Sequence, residues 1–220
     1  MRSVMFDLDG TLADTSADLI AAANLCFCDL GLGPLLEPGR DAAVAVRGAR
    51  AMLAKGFSRV EGDHEDEIDR LYPRLLDYYG SNIAEHTVLY PGAREMLEAL
   101  RRADYRVGVC TNKPQGLAEK LLDALDIRDA FDSLIGADTL PVRKPDPAPL
   151  REAVLRAGAD PGRTVLVGDT ETDRDTARAL GVPSILVTFG PAGQGMREMQ
   201  ADHFLDHFDD LPPLMAQLDR

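Results

Sequence analysis

Residues 4–15 read VMFDLDGTLADT. Three apolar residues come first, then Asp7 and Asp9 two positions apart, with Gly10 and Thr11 close behind. Carboxylates at the end of a buried strand repel one another and resist losing water. Asp, Gly and Thr are also ordinary punctuation where a turn or helix begins, so the stretch alone leaves both readings open. The rest of the chain decides between them.

Working outward, β-rich apolar runs recur. Val4–Phe6 is followed by Arg106–Cys110, Ser133–Ile135, Thr164–Val167 and Ser184–Val187. Between them lie the amphipathic stretches Ala93–Arg102, Gly116–Leu125, Ala148–Ala157 and Asp173–Leu180, two of them stopped by Gly158 and Gly181. Such alternation predicts an α/β domain with a Rossmann-like parallel sheet, right-handed crossovers and helices on both faces. The interval from Thr15 to His86 breaks the rhythm. It shows only helical patterns, Ala17–Leu30, Asp41–Lys55 and His64–Tyr79, which stop at Gly31, Gly56 and Gly80. An insertion of that length is no ordinary loop. It predicts a helical cap domain at 15–86, set into a catalytic core of 1–14 and 87–220, with linkers near Asp14–Ser16 and Glu85–Pro91.

Composition narrows the function classes. With 220 residues, 45% hydrophobic and 28% charged, the chain reads as a soluble globular protein. No apolar run is long enough for a membrane span, and the opening MRSVMFDLDG lacks the apolar core of a signal peptide, so a cytoplasmic location is expected. Cys26, Cys28 and Cys110 form no CxxC, which points to neither a zinc knuckle nor a redox pair. The net charge of −13 argues against nucleic acid and anionic membranes as partners. An anionic ligand would therefore need positive charge concentrated locally, from a few basic side chains or a bound cation. A homodimer remains open.

Ligands of open parallel sheets bind outside the carboxyl ends of the strands. The first strand delivers Asp7 and Asp9 there, and the second Thr111, Asn112 and Lys113. The third leads into ADTLPVRKPDP with Lys144, and the fourth delivers Asp169 and, within GDTETD, Asp173. Each has a plainer reading as a turn, a strand exit or a helix N-terminus. Together they suit a phosphate and a divalent cation. Asp7, Asp169 and Asp173 offer hard oxygen ligands for Mg²⁺, Thr111 and Asn112 offer donors for phosphoryl oxygens, and Lys144 offers a point charge.

The stretches DLDGTLADT, TNK, RKPDP and GDTETD resemble, in order, the four motifs of the haloacid dehalogenase-like phosphatases. TNKP, IGADTLPVRKPDPAPL and VGDTETDRDTARALG are similar to the phosphoglycolate phosphatase-like subfamily within them. The resemblance implies an Mg²⁺-dependent hydrolase of a small phosphorylated metabolite, with 2-phosphoglycolate the best single substrate. In it Asp7 would attack phosphorus to form an aspartyl-phosphate. Asp9 would protonate the leaving alcohol and then activate water. Thr111 would hold the phosphoryl group and Lys144 would pin Asp7 and the phosphate. The metal would meet Asp7, the Asp9 carbonyl and Asp169, with Asp173 in a water-mediated or outer place. A phosphosugar mutase, a phosphatase of another small ester and a phospho-accepting receiver-like switch are the alternatives, with dehalogenation behind them.

Substrate choice should fall to the cap, where VAVRGARAMLAKG brings Arg47, Arg50 and Lys55 into an acidic chain. Arg47 beside Gly48 is a candidate clamp for a substrate carboxylate. Arg50 and Lys55 fit a solvated helix face, and the subfamily's usual Gly-x-Gly is here Arg47-Gly48-Ala49. Lys113 is read as rim cover, with a substrate carboxylate as the alternative. His203 and His207 stand four apart, a spacing that can bind zinc on a helix, but they follow an expected short strand in an acidic tail and take the plain reading, and GPAGQG at 190–195 reads as turns.

Overall fold

A computed structural model of the chain describes residues 1–218. The chain begins with β1 (Ser3–Phe6) and β2 (Ala13–Asp14), then the helices α1 (Ser16–Asp29), α2 (Pro38–Ala45), α3 (Ala49–Phe57) and α4 (Glu65–Ser81). After β3 (Val88–Leu89) come α5 (Ala93–Arg102), β4 (Arg106–Cys110), α6 (Gln115–Ala124), β5 (Ser133–Ile135) and α7 (Ala148–Arg156). The remainder is β6 (Thr164–Gly168), α8 (Glu171–Leu180), β7 (Ser184–Val187), β8 (His203–Leu205) and α9 (Leu211–Leu218).

Two compact units result. One joins Met1–Ala13 to the chain from Leu89 onward, and the other is Asp14–Val88. In the first, six strands pair in the order β5-β4-β1-β6-β7-β8, all parallel. The chain steps outward from β1 through β4 to β5, then crosses back to β6, β7 and β8. That reversal opens a crevice at the carboxyl end of β1. Register fixes what meets there. Phe6 lies opposite both Val109 and Val167, so Asp7 emerges beside the exits of β4 and β6.

Strands buried on both faces read as continuous apolar runs, which is why β1, β4, β6 and β7 were visible in the sequence. Met5, Cys110, Ile135 and Leu166 pack on one face against Leu150, Ala153 and Val154 of α7 and Ala177 of α8. By alternation Val4, Phe6, Val107 and Val109 face the other way, and α5 packs on β4. Gly108 is glycine for a reason: a Cβ there would lie 2.3 Å from Ser133 Oγ and 2.7 Å from Met5 Sδ.

The second unit is helical, as its patterns predict. Its core includes Phe27, Phe57, Met52, Leu53 and Leu75, with Phe27 and Phe57 edge to face at 5.3 Å. The single helix expected at Asp41–Lys55 is two, α2 and α3, because the chain turns at Val46–Gly48 with Gly48 at φ 96°. Gly56 does not stop a helix. It lies inside α3, where the Phe27 ring occupies the space a Cβ would need, 2.1 Å away. Gly80 likewise lies inside α4. Asp18 accepts the N–H groups of His86 (3.0 Å) and Thr87 (2.9 Å) and the Thr87 hydroxyl (2.7 Å), tying the start of α1 to the outgoing segment.

Candidate active site

β1 ends at Phe6, and the Asp7 N–H still bonds the Val167 carbonyl at 2.9 Å, so the nucleophile candidate stands on the last rung of the ladder. The chain then turns sharply. Gly10 takes φ 81°, a conformation glycine adopts without strain, and its N–H bonds Ala13 O at 2.9 Å while Leu12 N bonds Leu8 O at 3.0 Å. This tight loop sets Asp7, Asp9 and Thr11 at one end of the strand.

Around Asp7 the other strand ends converge. Its Oδ1 accepts the Leu8 N–H at 2.7 Å and its Oδ2 lies 3.0 Å from Lys144 Nζ, with Thr111 among the groups that favour its charge. Lys144 is buried, and its ammonium reaches Asp173 Oδ1 at 2.6 Å as well. Asp173 is the third residue of α8. Its Oδ2 takes the N–H (3.1 Å) and hydroxyl (2.6 Å) of Thr170, so the same carboxylate caps the helix and holds the lysine. Its close approach to β6 requires Gly168, where a Cβ would sit 2.3 Å from the Asp173 Cβ.

Asp169 follows β6 directly. Its Oδ1 accepts the Thr11 hydroxyl at 2.8 Å, but its buried Oδ2 has no hydrogen-bond partner. Asp7, Asp169 and Asp173 each place one carboxylate oxygen within 4.8 Å of the others. Burial, reinforced by Asp173, pushes the Asp7 carboxyl up to about 6 against the pull of Lys144, Thr111 and the Leu8 N–H. Asp169 stands well above the usual carboxylate range, from burial first and then from Asp173 and Asp7. Burial works against the charge on Lys144, yet Asp173 and Asp7 outweigh it and raise the ammonium's pKa above its ordinary value. Three carboxylates thus face one ammonium. A divalent cation would bring the cluster to neutrality and give the orphaned Asp169 oxygen a partner, so the residues fit Mg²⁺.

Asp9 belongs to a separate pair. Lys113 Nζ lies 2.8 and 3.0 Å from its two oxygens, and both residues are largely covered. Lys113 is therefore no rim residue: its side chain is 3% exposed and committed inward. Asn112 donates its side-chain amide to the Lys144 carbonyl at 3.1 Å, fastening the lysine's loop to the end of β4.

The structure brings together Asp7, Asp9, Thr111, Asn112, Lys113, Lys144, Asp169 and Asp173, all in the first unit. Sequence reasoning missed Thr11 and Thr170, whose hydroxyls hold Asp169 and Asp173, although both stood in quoted motifs. It also missed Gly190. Read as a turn residue, it packs so closely that a Cβ would meet the Gly10 carbonyl at 2.6 Å and Asp169 Cβ at 3.4 Å. In the second unit Arg47 is exposed at the α2–α3 turn, where its N–H bonds the Val44 carbonyl at 3.0 Å and its guanidinium has no hydrogen-bond or ion-pair partner among the described residues. Arg50 pairs with Asp69 and lies over the Tyr72 ring, and Lys55 is exposed in the last turn of α3. His203 opens strand β8 and His207 follows it, so the two do not share a helix face, in keeping with their plain reading. No helix among the described residues is long and apolar enough to cross a membrane.

A family model for haloacid dehalogenase-like hydrolases matches residues 4–187. The phosphoglycolate phosphatase of Caulobacter vibrioides is 38% identical over 212 residues, covering 96% of this chain and 89% of that protein. Among solved structures, a predicted phosphoglycolate phosphatase of Haemophilus somnus aligns with a TM-score of 0.85 at 27% identity, covering 97% of each chain. A variant of CbbY from Rhodobacter sphaeroides, in complex with xylulose-1,5-bisphosphate, aligns at 0.77 with 25% identity, covering 96% of each.

Proposed function

We propose 2-phosphoglycolate as the substrate of this chain, which belongs to the haloacid dehalogenase-like hydrolases and is a phosphatase of their phosphoglycolate phosphatase-like branch. The observation that carries the chemistry is the cluster of Asp7, Asp169 and Asp173 around Lys144, with one buried carboxylate oxygen left without a partner. Asp7, Asp169 and Asp173 would hold Mg²⁺, with the Asp9 carbonyl beside them. Bound there, the ion would neutralise the carboxylates and draw charge from the phosphoryl oxygens.

The chain's own groups account for both steps. Asp7, fixed by Lys144 and the Leu8 N–H, forms a bond to phosphorus while the ester P–O bond breaks, and Asp9 gives its proton to the departing oxygen. Water then attacks phosphorus, its proton passes to Asp9, and the bond to Asp7 breaks. The sum is phosphomonoester plus water to alcohol plus phosphate. Thr111 and Lys144 hold the phosphoryl group throughout.

The names of the relatives support phosphoglycolate, and Arg47 is the cap cation whose chemistry suits its carboxylate. The CbbY complex motivates a second reading, a sugar bisphosphate. Phosphate release from 2-phosphoglycolate, sugar monophosphates and a sugar bisphosphate, with Mg²⁺ and with chelator, separates them. Magnesium-dependent release that favours 2-phosphoglycolate, with Arg47→Ala raising its KM about tenfold or more, is the expected result. Preference for the bisphosphate would transfer the assignment, and exchange between phosphosugar isomers without phosphate release would make the enzyme a mutase.

A further inference from the structure

We propose that Lys113 is a positioning residue for Asp9, gripping both of its carboxylate oxygens and setting where Asp9 meets the leaving oxygen of the substrate. The inference rests on the reading of Asp9 as the acid and base of the reaction.

The pair is built, not incidental. Lys113 lies between the end of β4 and Pro114, the N-cap of α6. Its N–H bonds Thr111 Oγ1 at 3.2 Å and its carbonyl accepts the Ala137 N–H at 2.9 Å, so the backbone is held from two sides. Gly136 makes this possible, since a Cβ there would lie 2.5 Å from the Gln115 backbone and 2.9 Å from the Lys113 carbonyl. The Gln115 N–H bonds Asp138 Oδ1 at 2.7 Å, and Gln115 Oε1 accepts the Gly136 N–H at 3.0 Å. From that shelf the lysine runs inward. A lysine this well covered is unfavourable unless its charge is met, and Asp9 meets it with both oxygens.

Asp9 needs such a partner. The Gly10 turn fixes its backbone, but the carboxyl can rotate, and Lys113 is the one side chain among the described residues that holds it. Giving up its proton leaves Asp9 as a carboxylate, and the ammonium is already in place to meet that charge as it develops. A bidentate contact also fixes direction, and small errors in the placement of a reacting group are expensive in rate.

The test uses leaving groups. An alkyl phosphate needs a proton on its departing oxygen, whereas p-nitrophenolate leaves without one. Lys113→Met should lower kcat/KM for 2-phosphoglycolate by about a hundredfold and for p-nitrophenyl phosphate by less than about tenfold, given what general acids contribute. Lys113→Arg should recover part of the loss, and inhibition by inorganic phosphate should stay within about threefold of wild type, because its proposed ligands are untouched. Equal losses on the two esters would make the lysine merely structural and overturn the proposal. A KM rise confined to 2-phosphoglycolate, with kcat unchanged, would overturn it in favour of direct substrate binding. Asp9→Asn is the control: if it shows no leaving-group preference, the acid reading itself fails. If Asp9→Asn shows the preference and Lys113→Met does not, only the present inference fails. Should thermal melting show Lys113→Met unfolded, Lys113→Arg carries the same test, with the same split expected at smaller size.

Discussion

One methyl group would disturb the acidic cluster from the side of β6. A Cβ on Gly168 would lie 2.3 Å from both Cβ and Cγ of Asp173, and neither atom can swing away as the tip of a long side chain could. Asp173 is 1% exposed, caps Thr170 and holds Lys144, so displacing it loosens the lysine that steadies Asp7. Gly168→Ala should destabilise the protein by about 1–3 kcal/mol, the usual range for overpacking, and lower kcat more than KM. Denaturant unfolding and steady-state kinetics measure both. A variant equal to wild type in both would show that Asp173 has room the structure does not display. The acids, Thr111 and Lys144 were legible because they follow apolar runs in order. Lys113 was visible as a letter but not as a partner of Asp9, since the two lie 104 positions apart and only the pairing of β1 with β4 joins their exits.

At the scale of elements, legibility follows burial. The inner strands carry apolar residues on both faces and stand out, whereas β8 includes the half-covered His203 and Phe204, and β2 and β3 have two residues each. A two-residue strand has no period to read, and its pairing depends on where distant chain returns. The break between α2 and α3 was hidden by an unbroken helical pattern of Ala and Val, although Gly48 marked the spot. Asp41 secures the start of α2. Its carboxylate accepts the Glu37 N–H at 2.8 Å and the Arg59 guanidinium at 2.6 and 3.0 Å, and Arg59 also donates to Leu35 O. The Arg59 hydrogen bonds, helped by the Glu37 N–H, hold the Asp41 carboxyl below its ordinary 3.8 despite burial. A lowered folded-state pKa means stability that is present above 3.8 and lost as pH falls through the folded value. Helical circular dichroism between pH 5 and pH 2 should therefore show the wild type losing stability more steeply below about pH 4 than Asp41→Asn, which starts lower at neutral pH. Parallel acid limbs for the two proteins would remove Asp41 from the account.

For the whole molecule, the site and the fold pull against each other. The chain carries a net charge of −13, and Asp7, Asp169 and Asp173 crowd together in one unit, three carboxylates to one ammonium. A cation that binds the folded state alone stabilises it by about 2.7 kcal/mol at a hundredfold excess over its Kd. The three acids all belong to the first unit, while α1 to α4 form a separate core around Phe27, Phe57 and Leu75. Saturating Mg²⁺ should raise the thermal midpoint, and chelator should reverse the rise. In hydrogen exchange the added protection should fall on β1, β4 and β6 and leave α1 to α4 unchanged. Asp169→Asn removes a buried carboxylate whose charge is resisted by burial and by Asp173 and Asp7. Without metal that variant should melt higher than wild type, because the charge it lacks is unfavourable in the folded state. With Mg²⁺ it should gain little. The two halves of that comparison separate the roles: a variant that melts lower without metal would show Asp169 to be structural. Protection spreading equally through α1 to α4 on Mg²⁺ alone would show that the two units respond as one to charge placed in the first.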